Sequence, residues 1–87
     1  MPLDARPSPQ EVRPSPQEVR AWLTGAVADA AVVTCVAVLE ADPNWRVAST
    51  CAPTVWDLHL LYAPAGMRCD VHLERLSPSV WRGIVVL

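Results

Sequence analysis

Two aspartates and two histidines in the second half of the chain are the residues best suited to acid–base chemistry. One residue separates Asp57 from His59, and one residue separates Asp70 from His72. A carboxylate beside an imidazole can assist proton transfer, or it can shift the pKa of the histidine. Catalysis also needs a nucleophile or a substrate cleft, and the sequence contains no Gly-x-Ser-x-Gly motif. We therefore interpret the four residues as cross-strand charge pairs on a solvated surface and predict that the protein is not an enzyme.

The cysteines and histidines supply atoms that bind zinc, but their spacing does not fit a zinc site. The spacings of Cys51, His59, Cys69 and His72 do not fit a zinc knuckle. Cys69 and His72 are also three residues apart, which places them on opposite faces of a strand. The glycines are isolated, so a phosphate-binding glycine loop is excluded as well. We predict no metal and no cofactor.

Composition and charge limit the class of protein. The 87 residues suffice for one domain, and a hydrophobic content of 52% is too high for a wholly disordered chain. The net charge of −2, without a basic run, argues against general nucleic-acid binding. Three cysteines without a Cys-x-x-Cys motif favour reduced thiols in the cytoplasm. The abundance of Val, Ala, Pro and Arg indicates a GC-rich genome, such as that of a bacterium or phage.

A tandem repeat occupies the start of the chain, where residues 6–12 recur as residues 13–19. Both copies contain Ser-Pro-Gln-Glu, a capping box with proline at the first helical position. Pro14 would interrupt a helix that started in the first copy. We predict a disordered Pro-rich arm over residues 1–14 and a single domain over residues 15–87. A Pro-x-x-Pro ligand is the alternative function of the arm, and it would use Pro7, Pro9, Pro14 and Pro16.

Residues 16–41 predict one long helix, since proline is absent after the first position and only one glycine occurs. Glu18, Asp29 and Glu40 follow one another at intervals of eleven residues, which is about 20° past a whole number of turns. They therefore share one side of the helix, and Trp22 projects to the same side. We predict Trp22 and Asp29 as one candidate contact with a partner.

The apolar stretch of residues 21–39 allows two alternatives to this helix. Residues 32–39 are rich in β-branched side chains and could form a buried strand. The whole stretch is also long enough for a membrane anchor. Asp29 lies near its middle, however, where a carboxylate costs about 2.5 to 3.5 kcal/mol on insertion scales. A membrane-spanning helix is therefore not expected.

The hydrophobic period changes from helical to alternating after residue 42. Candidate strands are residues 45–51, 55–62, 67–75 and 80–87. Their short, turn-rich connections predict an antiparallel meander. The predicted fold is thus α+β, with one long N-terminal helix packed on a four-stranded antiparallel β-meander.

The hairpin of the second and third strands allows a register to be predicted. A four-residue loop pairs Tyr62 with Met67, and all other pairs follow from that one. One face of the hairpin then carries Trp56, Leu58, Leu60, Tyr62, Met67, Cys69, Val71 and Leu73. The other face carries Asp57, His59, Leu61, Arg68, Asp70, His72 and Glu74. Such a separation supports both the strands and the register.

The polar hairpin face is the preferred candidate for binding a partner. Its predicted contact residues are Asp57, His59, Leu61, Arg68, Asp70 and His72. An apolar Leu61 among mixed charges resembles an interface core with a polar rim. We expect a small non-enzymatic cytoplasmic protein that binds a larger protein, as an inhibitor, an immunity-type factor or an assembly subunit; a homodimer is compatible with the sequence. The alternatives are a small enzyme that uses the His/Asp face and a membrane-anchored protein with residues 21–39 in the bilayer.

Overall fold

Two helices pack on one face of a five-stranded antiparallel sheet in the computed structural model, which describes residues 13–87. The α+β class with an antiparallel sheet is confirmed. The sheet order is β1-β5-β4-β3-β2, so β1 and β2 are its edges. The elements are α1 (Pro16–Leu23), β1 (Gly25–Ala28), α2 (Asp29–Ala41), β2 (Trp45–Cys51), β3 (Val55–Tyr62), a 3-10 turn (Ala63–Ala65), β4 (Met67–Ser77) and β5 (Val80–Val86).

The prediction of one long helix on four strands is wrong, because the segment between α1 and α2 forms a fifth strand. Thr24 has an extended backbone, and Gly25 has a φ of 81°, a value that side-chain-bearing residues rarely adopt. Residues 25–28 then pair with β5. Ladder hydrogen bonds to a distant strand therefore override the local preference of this Ala-rich segment for helix. Residues 32–39, for which a strand was the alternative, are helical in α2.

Gly83 in β5 lets the end of α1 lie directly on the sheet. A methyl group at this position would collide with the backbone carbonyl oxygen of Leu23, the last residue of α1. Gly83 also pairs with Gly25 across the β1–β5 ladder. The helix can thus end on the sheet and continue at once as its edge strand.

The capping box of the second repeat copy forms as predicted. Ser15 Oγ accepts a hydrogen bond from the backbone N–H of Glu18 at 3.2 Å, and Glu18 Oε1 accepts one from the N–H of Ser15 at 3.1 Å. Pro14 is buried, and its carbonyl accepts a 3.0 Å hydrogen bond from Trp45 Nε1. The folded part of the chain therefore includes Pro14. Arg13 is exposed, and residues 1–12 of the predicted arm lie outside the described residues, so their disorder stays a prediction.

Both helices contribute to a single core on the inner face of the sheet. α2 buries Val32, Cys35 and Leu39, a stripe at helical spacing. The helix is tied to the sheet at its start, since the N–H of Asp29 donates to the carbonyl of Ser79 at 2.8 Å. The buried hydrophobic side chains are Val19, Leu23, Val27, Val32, Cys35, Leu39, Trp45, Leu58, Leu60, Cys69, Val71, Leu73 and Trp81.

The strands follow the prediction closely, and the hairpin register is confirmed. β2 and β3 have the predicted bounds, β4 continues to Ser77 after an irregularity that follows Arg75, and β5 ends at Val86. Tyr62 pairs with Met67. The predicted apolar face points to the helices: Leu58, Leu60, Cys69, Val71 and Leu73 are buried, and Trp56, Tyr62 and Met67 are half-buried.

The stretch considered as a membrane anchor, residues 21–39, is divided among α1, β1 and α2. Within residues 13–87, no helix combines the length and the apolar character needed to cross a membrane.

Candidate functional site

The side chains that point away from the helices form the outer sheet face, which no described element covers. Side chains alternate between the two faces of a strand, and those that alternate with the buried ones are exposed or half-buried. All residues predicted to bind a partner through the sheet lie here, and their role in binding stays a prediction. The face consists of Ala26, Ala28, Arg46, Ala48, Thr50, Val55, Asp57, His59, Leu61, Arg68, Asp70, His72, Glu74, Val80, Arg82, Ile84 and Val86.

The predicted His–Asp pairs are present on this face. His72 Nδ1 lies 2.6 Å from Asp57 Oδ1, and His59 Nδ1 lies 3.2 Å from Asp70 Oδ1. Both pairs bridge β3 and β4, since each histidine is directly opposite its aspartate in the ladder. All four side chains are between 39% and 58% exposed. The pairs are therefore accessible to a partner and are screened by solvent.

A third carboxylate extends one pair across the sheet. Glu74 Oε2 lies 3.4 Å from His72 Nε2, and Glu74 Oε1 accepts a 3.2 Å hydrogen bond from Arg82 in β5. Hydrogen bonding to Asp57, followed by that to Glu74, holds the pKa of His72 above its ordinary value. Hydrogen bonding to Arg82, followed by that to His72, lowers the pKa of Glu74. Asp57, His72, Glu74 and Arg82 thus form a continuous charge ladder over three strands.

This geometry suits recognition better than proton transfer. Both ring nitrogens of His72 face carboxylates, so neither is directed to a substrate. The Asp57–His72 pair stands on the open sheet surface and the His59–Asp70 pair lines an open depression, so neither pair lies in a cleft that could exclude water. Between Arg13 and Leu87, His, Cys, Asp and Glu side chains do not gather into a group of three that could hold a metal ion. The arrangement holds charged groups and hydrogen-bonding atoms in fixed positions on an exposed surface.

The sequence interpretation missed Arg46, which completes a basic end of the outer sheet face. Arg46 in β2 is opposite Leu61 in β3, and Leu61 is opposite Arg68 in β4. The three side chains therefore form one row, and we call this row the basic end. With His59, Gly66 and other neighbours they line an open depression of about 410 Å³. Alternation in β2 would have placed Arg46 on one face, but only the β2–β3 register shows that this face is the one with Arg68.

Two aliphatic side chains on the face were also missed. Ile84 is 50% exposed and Val86 is 61% exposed, both in β5. They lie beside His72 and Asp70 in the β4–β5 ladder. The irregularity after Arg75 shifts this ladder, so the pairing could not be predicted from the loop length. Together with Leu61, they give the polar face an apolar component.

The structure separates Trp22 from Asp29, the two residues of the second predicted contact. Trp22 is 40% exposed in α1, whereas Asp29 is the first residue of α2, with β1 between them. Asp29 Oδ1 accepts a 2.9 Å hydrogen bond from the indole of the buried Trp81. Asp29 is therefore engaged in the fold. Trp22 borders an apolar groove whose other lining residues are Ala30, Ala31, Thr34, Cys35 and Val38.

The outer sheet face thus gathers the predicted sheet residues and adds Arg46, Ile84 and Val86 to them. No family model, no curated protein and no solved structure matches the chain.

Proposed function

We propose that the chain is a small protein-binding module that docks on a larger protein through its outer sheet face. The observation that carries the proposal is that the exposed Ile84 and Val86 and the half-buried Leu61 lie among charged side chains on one uncovered face. Interfaces of non-obligate complexes combine apolar side chains with a polar surround in this way. No helix or strand of the described chain packs on this face.

The charge pairs support docking because they hold side chains in place before a partner arrives. Binding normally costs free energy when flexible side chains become ordered. The Asp57–His72 contact and the Glu74–Arg82 contact already restrict four of the side chains. Exposed ion pairs add little to stability, so folding alone gives small reason for such a network. A rigid surface of this kind favours specific recognition.

The scale and chemistry of the chain support the narrower proposal of an inhibitor, an immunity-type factor or an assembly subunit. Such proteins act by occupying a surface and need no site for a small molecule. Cys35, Cys51 and Cys69 are free thiols, which supports a reducing compartment such as the cytoplasm.

Capture from a native lysate, followed by mass spectrometry, tests the proposal. The tagged chain is compared with the double variant Leu61→Ala/Arg68→Ala, and Trp22→Ala serves as a matched control on the helix side. We expect the double variant to retain the partner at least about fivefold less, since about 1 kcal/mol corresponds to that factor. Circular dichroism should show that all three proteins are folded.

Two results would contradict the proposal. One is a partner that the double variant retains fully and Trp22→Ala loses, which would move the contact to the helices. The other is a chain that retains no protein above the level of an unrelated bait of similar size.

A further inference from the structure

We infer that the partner presents an acidic segment whose carboxylates bind between Arg46 and Arg68 at the basic end of the outer sheet face. This inference rests on the proposed function and specifies the chemistry of the partner.

The ladder brings the two guanidinium groups within reach of one ligand segment. Arg46 and Arg68 flank Leu61 in the same row, one strand away on each side. Neighbouring strands are about 4.8 Å apart, so the two Cα atoms are about 10 Å apart. Both arginines are exposed. A guanidinium fork can bind a carboxylate through two parallel hydrogen bonds, and two forks at this spacing can hold neighbouring carboxylates.

The ion pairs on the face indicate the sign of the charge that its ligand carries. Asp57, Asp70 and Glu74 each have a histidine or arginine partner on the face. By contrast, no carboxylate between Arg13 and Leu87 forms an ion pair with Arg46 or Arg68. Arg46 and Arg68 are therefore the two arginines of the face that no described carboxylate engages, and both lie at one end of it. Complementary interfaces place negative charge against such a patch.

Arg75 in β4 and Arg82 in β5, by contrast, are held by contacts within the described chain. Arg75 donates to the carbonyls of Pro53 and Pro78 at 2.6 and 2.8 Å, and its guanidinium lies 4.2 Å from the centroid of the Trp81 ring. Arg82 donates to Glu74. These contacts fix both side chains within the fold. Arg46 and Arg68 have no counterpart of this kind among the described residues.

An acidic protein segment fits the basic end better than a nucleic acid does. Duplex DNA carries one charge per about 1.7 Å of its axis and needs several cations in succession. Here two arginines are followed along the face by Asp70 and Asp57, which would repel a continuing phosphate backbone. Leu61 between the arginines provides an apolar contact for the methylene groups of a glutamate side chain. A short run of glutamate side chains can form ion pairs with Arg46 and Arg68 and an apolar contact with Leu61.

Titration of the isotopically labelled full chain with a hexaglutamate peptide, followed by NMR, tests the inference. We expect the largest shifts at the Nε–H groups of Arg46 and Arg68 and at the amide of Leu61, and we expect added salt to weaken them. The variant Arg46→Gln/Arg68→Gln should raise the Kd about tenfold or more. The matched control Arg20→Gln, an exposed arginine on α1, should leave the Kd unchanged.

Equal shifts at all exposed arginines, or a Kd unaffected by Arg46→Gln/Arg68→Gln, would overturn the inference. Tighter binding of a hexathymidylate oligonucleotide than of hexaglutamate would also overturn it, in favour of a nucleic acid.

The captured partner separates failure of this inference from failure of the proposed function. If Arg46→Gln/Arg68→Gln retains the partner fully while Ile84→Ser/Val86→Ser loses it, the acidic segment is wrong and docking through the face holds. If both variants retain the partner fully, the proposed function fails as well.

Discussion

His72 shows how one residue connects the register of the sheet with the charge of its surface. Its two ring nitrogens face Asp57 across the β3–β4 ladder and Glu74 two residues along β4. A shift of β4 by one residue would move both His72 and Glu74 to the core face. The pairing of Asp57 with His72 could be predicted from the hairpin alone. The Glu74–Arg82 contact could not, because it depends on how β5 is placed.

The contribution of His72 to the stability of the fold should depend on pH. Because its pKa in the folded state is raised, protonated His72 stabilises the fold at pH values below the ordinary value of 6.5. This contribution is lost as the pH rises through the raised pKa. NMR titration of the ring should show that Asp57→Asn lowers the pKa of His72 more than Glu74→Gln does, since the bond to Asp57 is the larger cause. If the pKa of His72 is the same in the two variants, the larger role of the Asp57 hydrogen bond is contradicted.

The stabilising contribution of Glu74 depends on pH in the opposite direction. Its pKa is lowered in the folded state, mainly by the hydrogen bond from Arg82, so its stabilising contribution is present above the ordinary value of 4.5. The contribution is lost as the pH falls through the lowered pKa. Unfolding measured from neutral to acidic pH should therefore show a shallower loss of stability in Arg82→Gln than in the parent chain. If Arg82→Gln and the parent chain lose stability with the same slope, the Glu74–Arg82 contact does not have this role.

The three thiols should differ in reactivity. Burial raises the pKa of Cys35 to about 11 and also raises that of Cys69, so both remain protonated and enclosed at neutral pH. Cys51 lies exposed at the end of edge strand β2. Because the thiolate is the reactive form, iodoacetamide should modify Cys51 first and reach the other two only on unfolding. Mass spectrometry of a time course would show this order, and Cys51→Ser should remove the rapid phase.

At the scale of the elements, local patterns predicted the strands but not the break in the helix. β2 and β3 have the predicted bounds because their alternating side chains and the turns beside them are local signals. Residues 25–28 carry no such signal; they are small and apolar, and they become a strand because β5 offers an unpaired edge. Arg46 was missed for a related reason, since its neighbours belong to other strands. Contacts distant in sequence decide both features.

Gly83→Ala tests the contact between α1 and β5. The added methyl group would meet the Leu23 carbonyl and a methyl group of Leu73, 3.1 Å away, so we expect a loss of about 1 to 3 kcal/mol or more in unfolding free energy. Gly66→Ala is the matched control: its φ is 62°, but the space around it is open. The control should cost only about 1 to 2 kcal/mol, from backbone strain. Denaturant unfolding measures both, and a smaller loss at Gly83 would contradict the close approach.

The helices and strands of residues 13–87 share one hydrophobic core, because both helices lie on the same side of the sheet. Leu58, at the centre of β3, is fully buried in this core. We expect Leu58→Ala to lower the unfolding free energy by about 2 to 5 kcal/mol. Tryptophan fluorescence and far-UV circular dichroism should give the same midpoint for this variant, as in a two-state transition. Separate midpoints would show that the helices and the sheet unfold independently.

The position of β1 determines when the fold can be completed during protein synthesis. Among residues 13–87 its one partner is β5, so residues 25–28 can pair only after residues 80–83 have been synthesised. A chain that leaves the ribosome from its N-terminal end therefore makes α1, β1 and α2 long before the strand that separates them into three elements. Until then, their Ala-rich sequence favours a continuous helix. The break between α1 and α2 is therefore stabilised by pairing only after β5 has been synthesised.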